Sequence, residues 1–291
     1  MTTESRTRVA TPHEAVARCL AEVGLTPDQP PAARPPAVLA AIGTTAPHAL
    51  AGRLLRDALA AERVEVDRAL PFDDPAALLA SPDWRLALVL SPWKKQVATL
   101  VDELTPSAAG TGVVDTVVRD RAGRLLGVNT NSWAAQAAME TLLGGEVPAG
   151  TLVLGSGGSA GSVALAARRA WPAAPLVGSA RNAAALAAWA ADFEARPAAP
   201  DALPAVLAAG DAPSLIVNTT TWGETDASEE RPFAFPLPLL LAPGRRLFDL
   251  NNRVSALQHA ALEAGMSVMS GTYMQRVTNR CRAALLAALA S

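Results

Sequence analysis

The sequence predicts an α/β fold built as two domains, and three observations carry that prediction. The chain has 291 residues, enough for two hydrophobic cores. The hydrophobic fraction is 50% against a charged fraction of 18%, the balance of a globular rather than a disordered chain. Short apolar runs alternate with helical patterns along most of the length, which favours a mainly parallel sheet flanked by helices.

In chain order, "PHEAVARCLAEVG" (12–24) places Ala15, Val16, Cys19, Leu20 and Val23 on one helical face. The proline-rich "TPDQPPAARPPA" that follows can form neither helix nor central strand and reads as a linker. "AVLAAIG" (37–43) reads as a buried strand and "HALAGRLLRDALAAE" (48–62) as one helix. "VEVDRAL" (64–70) and "LALVLS" (86–91) read as strands. "SWAAQAAMETLLGG" (132–145) is a helix ending in glycine. "AGTLVLGSGGSAGSVALAARRAW" (149–171) reads as strand, tight turn and helix. Three more strands follow in "APLVGSAR" (174–181), "PSLIVNTT" (213–220) and "RRLFDLN" (245–251), and the last helix covers 272–290.

Bulk properties exclude several classes of function. Formal net charge is -2 with no long basic block, so nucleic-acid binding through phosphates is not expected. No apolar run is long enough to span a membrane, and the first residues lack the apolar core of a secretory signal. The expectation is a cytoplasmic protein acting on a small molecule, as a monomer or homodimer. Cys19 and Cys281 lack metal-ligand spacing and read as two reduced thiols. His13, His48 and His259 are too scattered for a metal site.

The strongest signal is "LVLGSGGSAG" (152–161). An apolar strand runs into Gly155, Gly157 and Gly158, then Ala160, at the start of a helix, the G-x-G-x-x-A form of a dinucleotide fingerprint. The first glycine permits the turn, the second lets backbone approach a pyrophosphate, and the small residue at 160 lets helix and strand pack closely. The next strand ends "VGSARN", with Ser179 and Arg181 where an NAD site carries an acid. A cation there suits a 2′-phosphate, so NADP is expected over NAD.

With these segments in order, the chain resembles the shikimate dehydrogenase family over residues 37–290. "SPWKKQVATLVDELTPSAAGTGVVDTVV" (91–118) is similar to the family's proline-x-lysine segment and its "DELTP…A…GAVNTVV" stretch. "LLGVNTN" (125–131) is similar to "GxNTD", "SARN" to "NRT", "VNTTTWG" (217–223) to "N-x-T-x-x-G", and "SGTYM" (270–274) to the segment before the last helix. The resemblance implies a split N-terminal α/β substrate domain (37–128, completed by 268–291), a Rossmann-like NADP-binding domain (129–267), and residues 1–36 as an N-terminal addition. It implies reversible hydride transfer in a cleft between the two. It also implies cofactor contacts at Gly155, Ser156, Gly157, Gly158, Ser159, Ala160, Ser179, Arg181, Asn218, Thr219, Thr220 and Met274.

The family's catalytic lysine maps to Lys94, an ammonium able to stabilise and protonate a developing alkoxide. The rest of the pocket departs from the pattern. The aspartate of "NTD" is here Asn131, and the asparagine of "AVNT" is here Asp115, so a carboxylate is kept but moved. Asp115 is expected to partner Lys94, or a substrate hydroxyl or amine. The two serines that hold the substrate carboxylate become Ala49 and Ala51, beside His48. A buried carboxylate lacking donors costs several kcal/mol on the order of. The family's tyrosine falls near Asn252 and its glutamine near Thr278. The implied substrate is therefore a small cyclic ketone, alcohol or imine other than ordinary shikimate, as in specialised metabolism. A true shikimate, quinate or aminoshikimate dehydrogenase, a lyase or cyclase using the same cleft, and a cofactor-binding module without turnover stay open.

Overall fold

The computed structural model describes residues 11–26, 36–209 and 212–289. Most of the expected proline-rich linker lies outside the described residues. Among them the chain divides into two compact units, residues 12–134 with 275–289, and residues 135–274.

The first unit opens with α1 (Pro12–Glu22), β1 (Ala37–Ile42), α2 (Ala46–Ala51), α3 (Arg53–Ala61), β2 (Val66–Phe72) and α4 (Pro75–Ala80). It continues with β3 (Leu86–Val89), α5 (Lys94–Ala98), β4 (Glu103–Leu104), α6 (Pro106–Ala109), β5 (Thr116–Arg119) and β6 (Leu125–Val128). Its sheet runs β2-β1-β3-β5-β6-β4. β1 pairs parallel with β2 and β3, and β4 with β6, whereas β5 pairs antiparallel with β3 and β6. The sheet is mixed because β5 and β6 form a hairpin, closed by a turn with Gly123 at φ +86°. The single helix expected over 48–62 is two: Gly52 is extended at φ −63°, ψ 134°, and separates α2 from α3. The break lets Leu55, Ala58 and Leu59 of α3 turn inward.

Trp84 lies in the core of this unit with Ile42, Leu78 and Val89. Its indole donates to the Leu78 carbonyl (2.8 Å), and the Arg119 guanidinium stacks 4.5 Å from its ring centroid.

The second unit contains most of α7 (Thr130–Leu143), then β7 (Thr151–Leu154), α8 (Gly158–Ala170), β8 (Leu176–Ser179), α9 (Ala183–Asp192), β9 (Arg196–Pro197) and α10 (Leu203–Ala208). β10 (Leu215–Asn218), α11 (Asp226–Glu229), α12 (Leu237–Leu240), β11 (Arg246–Asp249), α13 (Ala256–Glu263) and β12 (Ser267–Ser270) follow, and α14 (Gly271–Leu289) returns to the first unit. The sheet order is β12-β11-β10-β7-β8-β9, with all pairings parallel. β7, β8 and β10 are buried along their whole length. That is why they read as continuous apolar runs rather than alternating ones. The Trp189 ring of α9 lies against Gly178, leaving no space for a Cβ there.

Candidate active site

Two arrangements hold the expected residues, one in each unit. In the first unit, β1 and β3 are neighbours, and the segments leaving their C-terminal ends stay tied together. The Thr44 N–H donates to the Ser91 carbonyl (3.3 Å) and the Leu90 N–H to the Ile42 carbonyl (2.9 Å). The Ser91–Pro92 bond is cis. Lys94 begins α5, and its carbonyl accepts from Val114 N–H (3.0 Å), which sets it beside the strand entered through Asp115. His48, Ala49 and Ala51 lie on α2, on the same end of the sheet, and none is buried. The alanines offer no hydroxyl.

Lys94 is half-buried. Burial pushes its pKa below the usual 10.5, nearby Asp115 opposes that shift, and Arg282 adds to it. Among the described residues the ammonium has no hydrogen bond or ion pair, so it remains available to another molecule.

Asp115 is 0% exposed. Its Oδ1 accepts from the Thr116 hydroxyl (2.8 Å), the Thr130 N–H (3.2 Å) and the Thr130 hydroxyl (2.6 Å), and its Oδ2 from the Asn131 N–H (2.7 Å). The carboxylate thus caps the N-terminus of α7, where free N–H groups and the helix dipole favour an anion. Arg282, reached from α14, completes the neutralisation. Its Nη2 donates to the Asp115 carbonyl (3.0 Å) and lies 3.8 Å from Oδ1, and its Nε donates to the Thr116 hydroxyl (3.0 Å).

The acid that appeared at position 115 is therefore a buried, paired anion next to Lys94, with most of its acceptor capacity taken by protein donors. The geometry favours an electrostatic and positioning part over direct contact with a substrate. Asn131 accepts from the Thr278 hydroxyl (3.1 Å), joining two of the expected substrate positions. Asn252 lies in the other unit, exposed, with its carbonyl taken by the Thr272 hydroxyl (2.9 Å).

Arg282 was missed in the sequence. Its signal is spacing: it stands four residues after Thr278, on the same helix face, at the head of the apolar run 283–290. Cys19 and Cys281 also meet in this unit, both buried and unoxidised. A hydrogen bond with Cys281, then burial, push the Cys19 thiol up. Glu22 of α1 accepts from the backbone N–H (3.1 Å) and the hydroxyl of Ser107. The N-terminal helix is thus packed onto the first unit beside the Asp115 neighbourhood.

In the second unit, Gly155, Ser156 and Gly157 line a pocket of about 860 Å³ with Arg181, Thr219 and Thr220. Gly155 has φ +113°, and a Cβ there would meet the Thr219 hydroxyl at 2.5 Å. That hydroxyl instead donates to the Leu154 carbonyl (2.8 Å). Space is open around Gly157, which caps α8 without any side-chain bond to its first N–H groups. An open approach over uncapped helix N–H groups is what a pyrophosphate needs. Ser159 and Ala160 continue α8, where Ala160 is buried. Arg181 is exposed at the pocket wall, and Asn182 caps α9 through Ala185 N–H (3.0 Å).

Ser179 is buried, with its hydroxyl lacking a partner and its carbonyl accepting from Gly155 N–H (2.8 Å). Asn218 accepts from Thr220 and donates to Asp249 (2.9 Å). Asp249 also receives bonds from Asn251, Ser255 and Gln258, a buried network that fixes the loops after β10 and β11. Met274 is buried at the start of α14. Tyr273, close in sequence to the expected substrate positions, bonds Thr141 (3.0 Å). Arg253 pairs with Asp226 (2.6 Å). Among the described residues no group of three or more His, Cys, Asp or Glu could hold a metal, and no helix is long and apolar enough to cross a membrane.

No protein-family model matches the chain. Among curated proteins it is 35% identical over 222 residues to a shikimate dehydrogenase (NADP(+)) of Methylobacterium radiotolerans, covering 73% of this chain and 75% of that one. Among solved structures, shikimate dehydrogenase from Aquifex aeolicus superposes with a TM-score of 0.72 at 22% identity, over 84% of this chain and 90% of the other. Quinate dehydrogenase from Corynebacterium glutamicum, in complex with NAD, gives 0.72 at 21% identity over 86% and 93%. The solved structures bear on the fold, which is the expected α/β class.

Proposed function

The chain belongs to the shikimate dehydrogenase family, and from that premise we propose that it is an NADP-dependent oxidoreductase whose substrate is a small cyclic ketone, alcohol or imine other than ordinary shikimate. The observation that carries the reading is the Lys94 ammonium, partly buried, without a partner among the described residues, and next to an Asp115–Arg282 pair that already balances its own charge. We assign the substrate to the unit with Lys94 and the cofactor to the unit with the glycine loop.

Bound NADPH would supply the hydride. It would be held at its pyrophosphate by Gly155–Gly158 and the N-terminus of α8, and at its 2′-phosphate by Arg181. Lys94 hydrogen-bonds the carbonyl oxygen and donates a proton to it as negative charge develops. The lowered pKa of Lys94 eases that donation. Asn131 can donate or accept a hydrogen bond with a substrate hydroxyl but cannot carry a proton between states. Lys94 is thus the titrating group, and Asp115 sets its field. The alanines at 49 and 51 supply no donors for a substrate carboxylate, which supports the change of substrate.

The runner-up is shikimate or a close relative of it, since the curated relative carries that name. Titration with NADPH, then a screen of NADPH oxidation with dehydroshikimate and with cyclic ketones lacking a carboxylate, tests both parts. The expected result is NADPH binding with turnover of a ketone other than dehydroshikimate. Failure to bind NADPH would sink the whole reading, and efficient dehydroshikimate turnover would sink the altered substrate.

A further inference from the structure

We propose that Arg231, on the loop after β10, is a second anchor for the 2′-phosphate of the cofactor, facing Arg181 across the pocket of the second unit and setting the preference for NADPH over NADH. The inference rests on the cofactor reading above and extends it to a residue outside the glycine fingerprint and the strand end that follows it.

The first observation is how the pocket's charge is sorted. Arg181 leaves the end of β8 and Arg231 comes from the loop after β10, so two cations reach one pocket from separate elements. None of the described residues lining that pocket is acidic. Yet Arg231 ends the stretch "ETDASEER", which holds Glu224, Asp226, Glu229 and Glu230. Two of these acids are turned elsewhere: Asp226 pairs with Arg253 at 2.6 Å, while Glu229 lies 3.8 Å from it and accepts from the Ala256 N–H (2.9 Å). Neither Arg181 nor Arg231 has a side-chain hydrogen bond or ion pair among the described residues. A segment that ties two of its acids to Arg253 and Ala256 while an arginine lines an acid-free cavity is arranged for an anion on the cavity side.

The second observation is that Arg231 is held in place. Its carbonyl accepts from the Trp222 indole N–H (2.8 Å), and Pro232 follows it. Phe233 packs on Trp222 with ring centroids 4.8 Å apart and on Phe235 at 5.2 Å, and Phe235 is buried. The backbone is thus fixed on both sides while the side chain is exposed. Fixing the root of a long side chain lowers the ordering entropy lost when its tip binds.

The third consideration is which phosphate lacks partners. The pyrophosphate has the glycine loop and the uncapped N–H groups of α8. The 2′-phosphate is a monoester that approaches two negative charges, and Arg181 alone would face it. A guanidinium presents a planar fork that suits two phosphate oxygens, so two arginines can divide the three terminal oxygens between them.

Binding of NADPH, NADH and 2′,5′-ADP to the full chain and to Arg231→Ala, Arg231→Lys and Arg181→Ala, by calorimetry or fluorescence, tests the assignment. Arg231→Ala is expected to weaken NADPH and 2′,5′-ADP by about 10- to 100-fold, the effect of one hydrogen-bonded charge. NADH affinity stays within about 2-fold, and Arg231→Lys recovers part of the loss. Unchanged NADPH affinity in Arg231→Ala overturns the proposal. So does an equal loss for NADPH and NADH, which would place the side chain on the pyrophosphate. A wild-type chain that binds neither NADPH nor 2′,5′-ADP overturns the cofactor reading and this inference with it, whereas wild-type binding with an insensitive Arg231→Ala overturns this inference alone.

Discussion

Removing the Lys94 ammonium separates its chemical role from its structural cost. Lys94→Met is expected to lower kcat by about 100- to 10,000-fold, the range for a lost general acid, with NADPH affinity unchanged. Burial holds the folded pKa of Lys94 below 10.5, so the folded state disfavours the charged form. That cost is full below the lowered folded pKa, where the lysine is protonated in both folded and unfolded states, and it fades as pH rises through it. Lys94→Met should therefore raise Tm below that pKa and lose the advantage at high pH. On the proposed mechanism carbonyl reduction needs protonated Lys94, so its rate should fall on an alkaline limb whose midpoint lies below 10.5. Asp115→Asn makes the opposite kind of change, because it leaves Arg282 buried without its counter-charge. Loss of one partner from a buried pair costs about 3–5 kcal/mol, read from urea denaturation, and Arg282→Met should cost less because hydrogen-bond donors to Asp115 remain. A large kcat loss in Asp115→Asn at unchanged stability would return Asp115 to direct contact with the substrate. The place of Lys94, just after β3, was legible because its motif is local in the chain. The neutralised state of Asp115 was not, because its partner lies 167 residues away.

At the scale of elements, motifs that punctuate the chain were easiest to read. The strand–turn–helix around Gly155 needs one positive φ and one small residue, and both requirements leave marks in the sequence. Gly155→Ala tests that requirement. Its φ of +113° and the 2.5 Å approach of a Cβ to the Thr219 hydroxyl mean that the turn or Thr219 must move. The expected cost is about 1–3 kcal/mol in stability, with weakened NADPH binding, checked by thermal denaturation and titration. Elements whose signal is short were not read. The β5–β6 hairpin lies within segments quoted as motifs, and its four-residue strands are buried with little alternation to reveal them. The break at Gly52 was hidden because apolar spacing continues through it. The helical face of α1 was visible, but its placement was not. Contacts distant in sequence, among them Cys19 with Cys281 and Glu22 with Ser107, attach it to the first unit.

For the whole molecule, two cores, one around Trp84 and one around the parallel sheet of the second unit, divide the chemistry between them. The pocket proposed for the cofactor is lined from residue 155 to residue 235, and the Lys94 cluster draws on residues 94 to 131 and on Thr278 and Arg282. A ligand that binds only the folded chain stabilises it by RT ln(1 + [L]/Kd), about 2.7 kcal/mol at 100 times Kd. For folding units of this size that corresponds to a rise in Tm of about 5–10 °C. Lys94→Met, which leaves the second unit untouched, should keep the full NADPH-induced rise while losing turnover. Gly155→Ala should lose much of the rise at the same NADPH concentration while keeping the Lys94 cluster intact. Thermal melts of wild type and both variants, with and without NADPH, measure this directly. Loss of the NADPH-induced rise in Lys94→Met would mean that Lys94 contributes to cofactor affinity, and would remove the division of labour argued from the two arrangements.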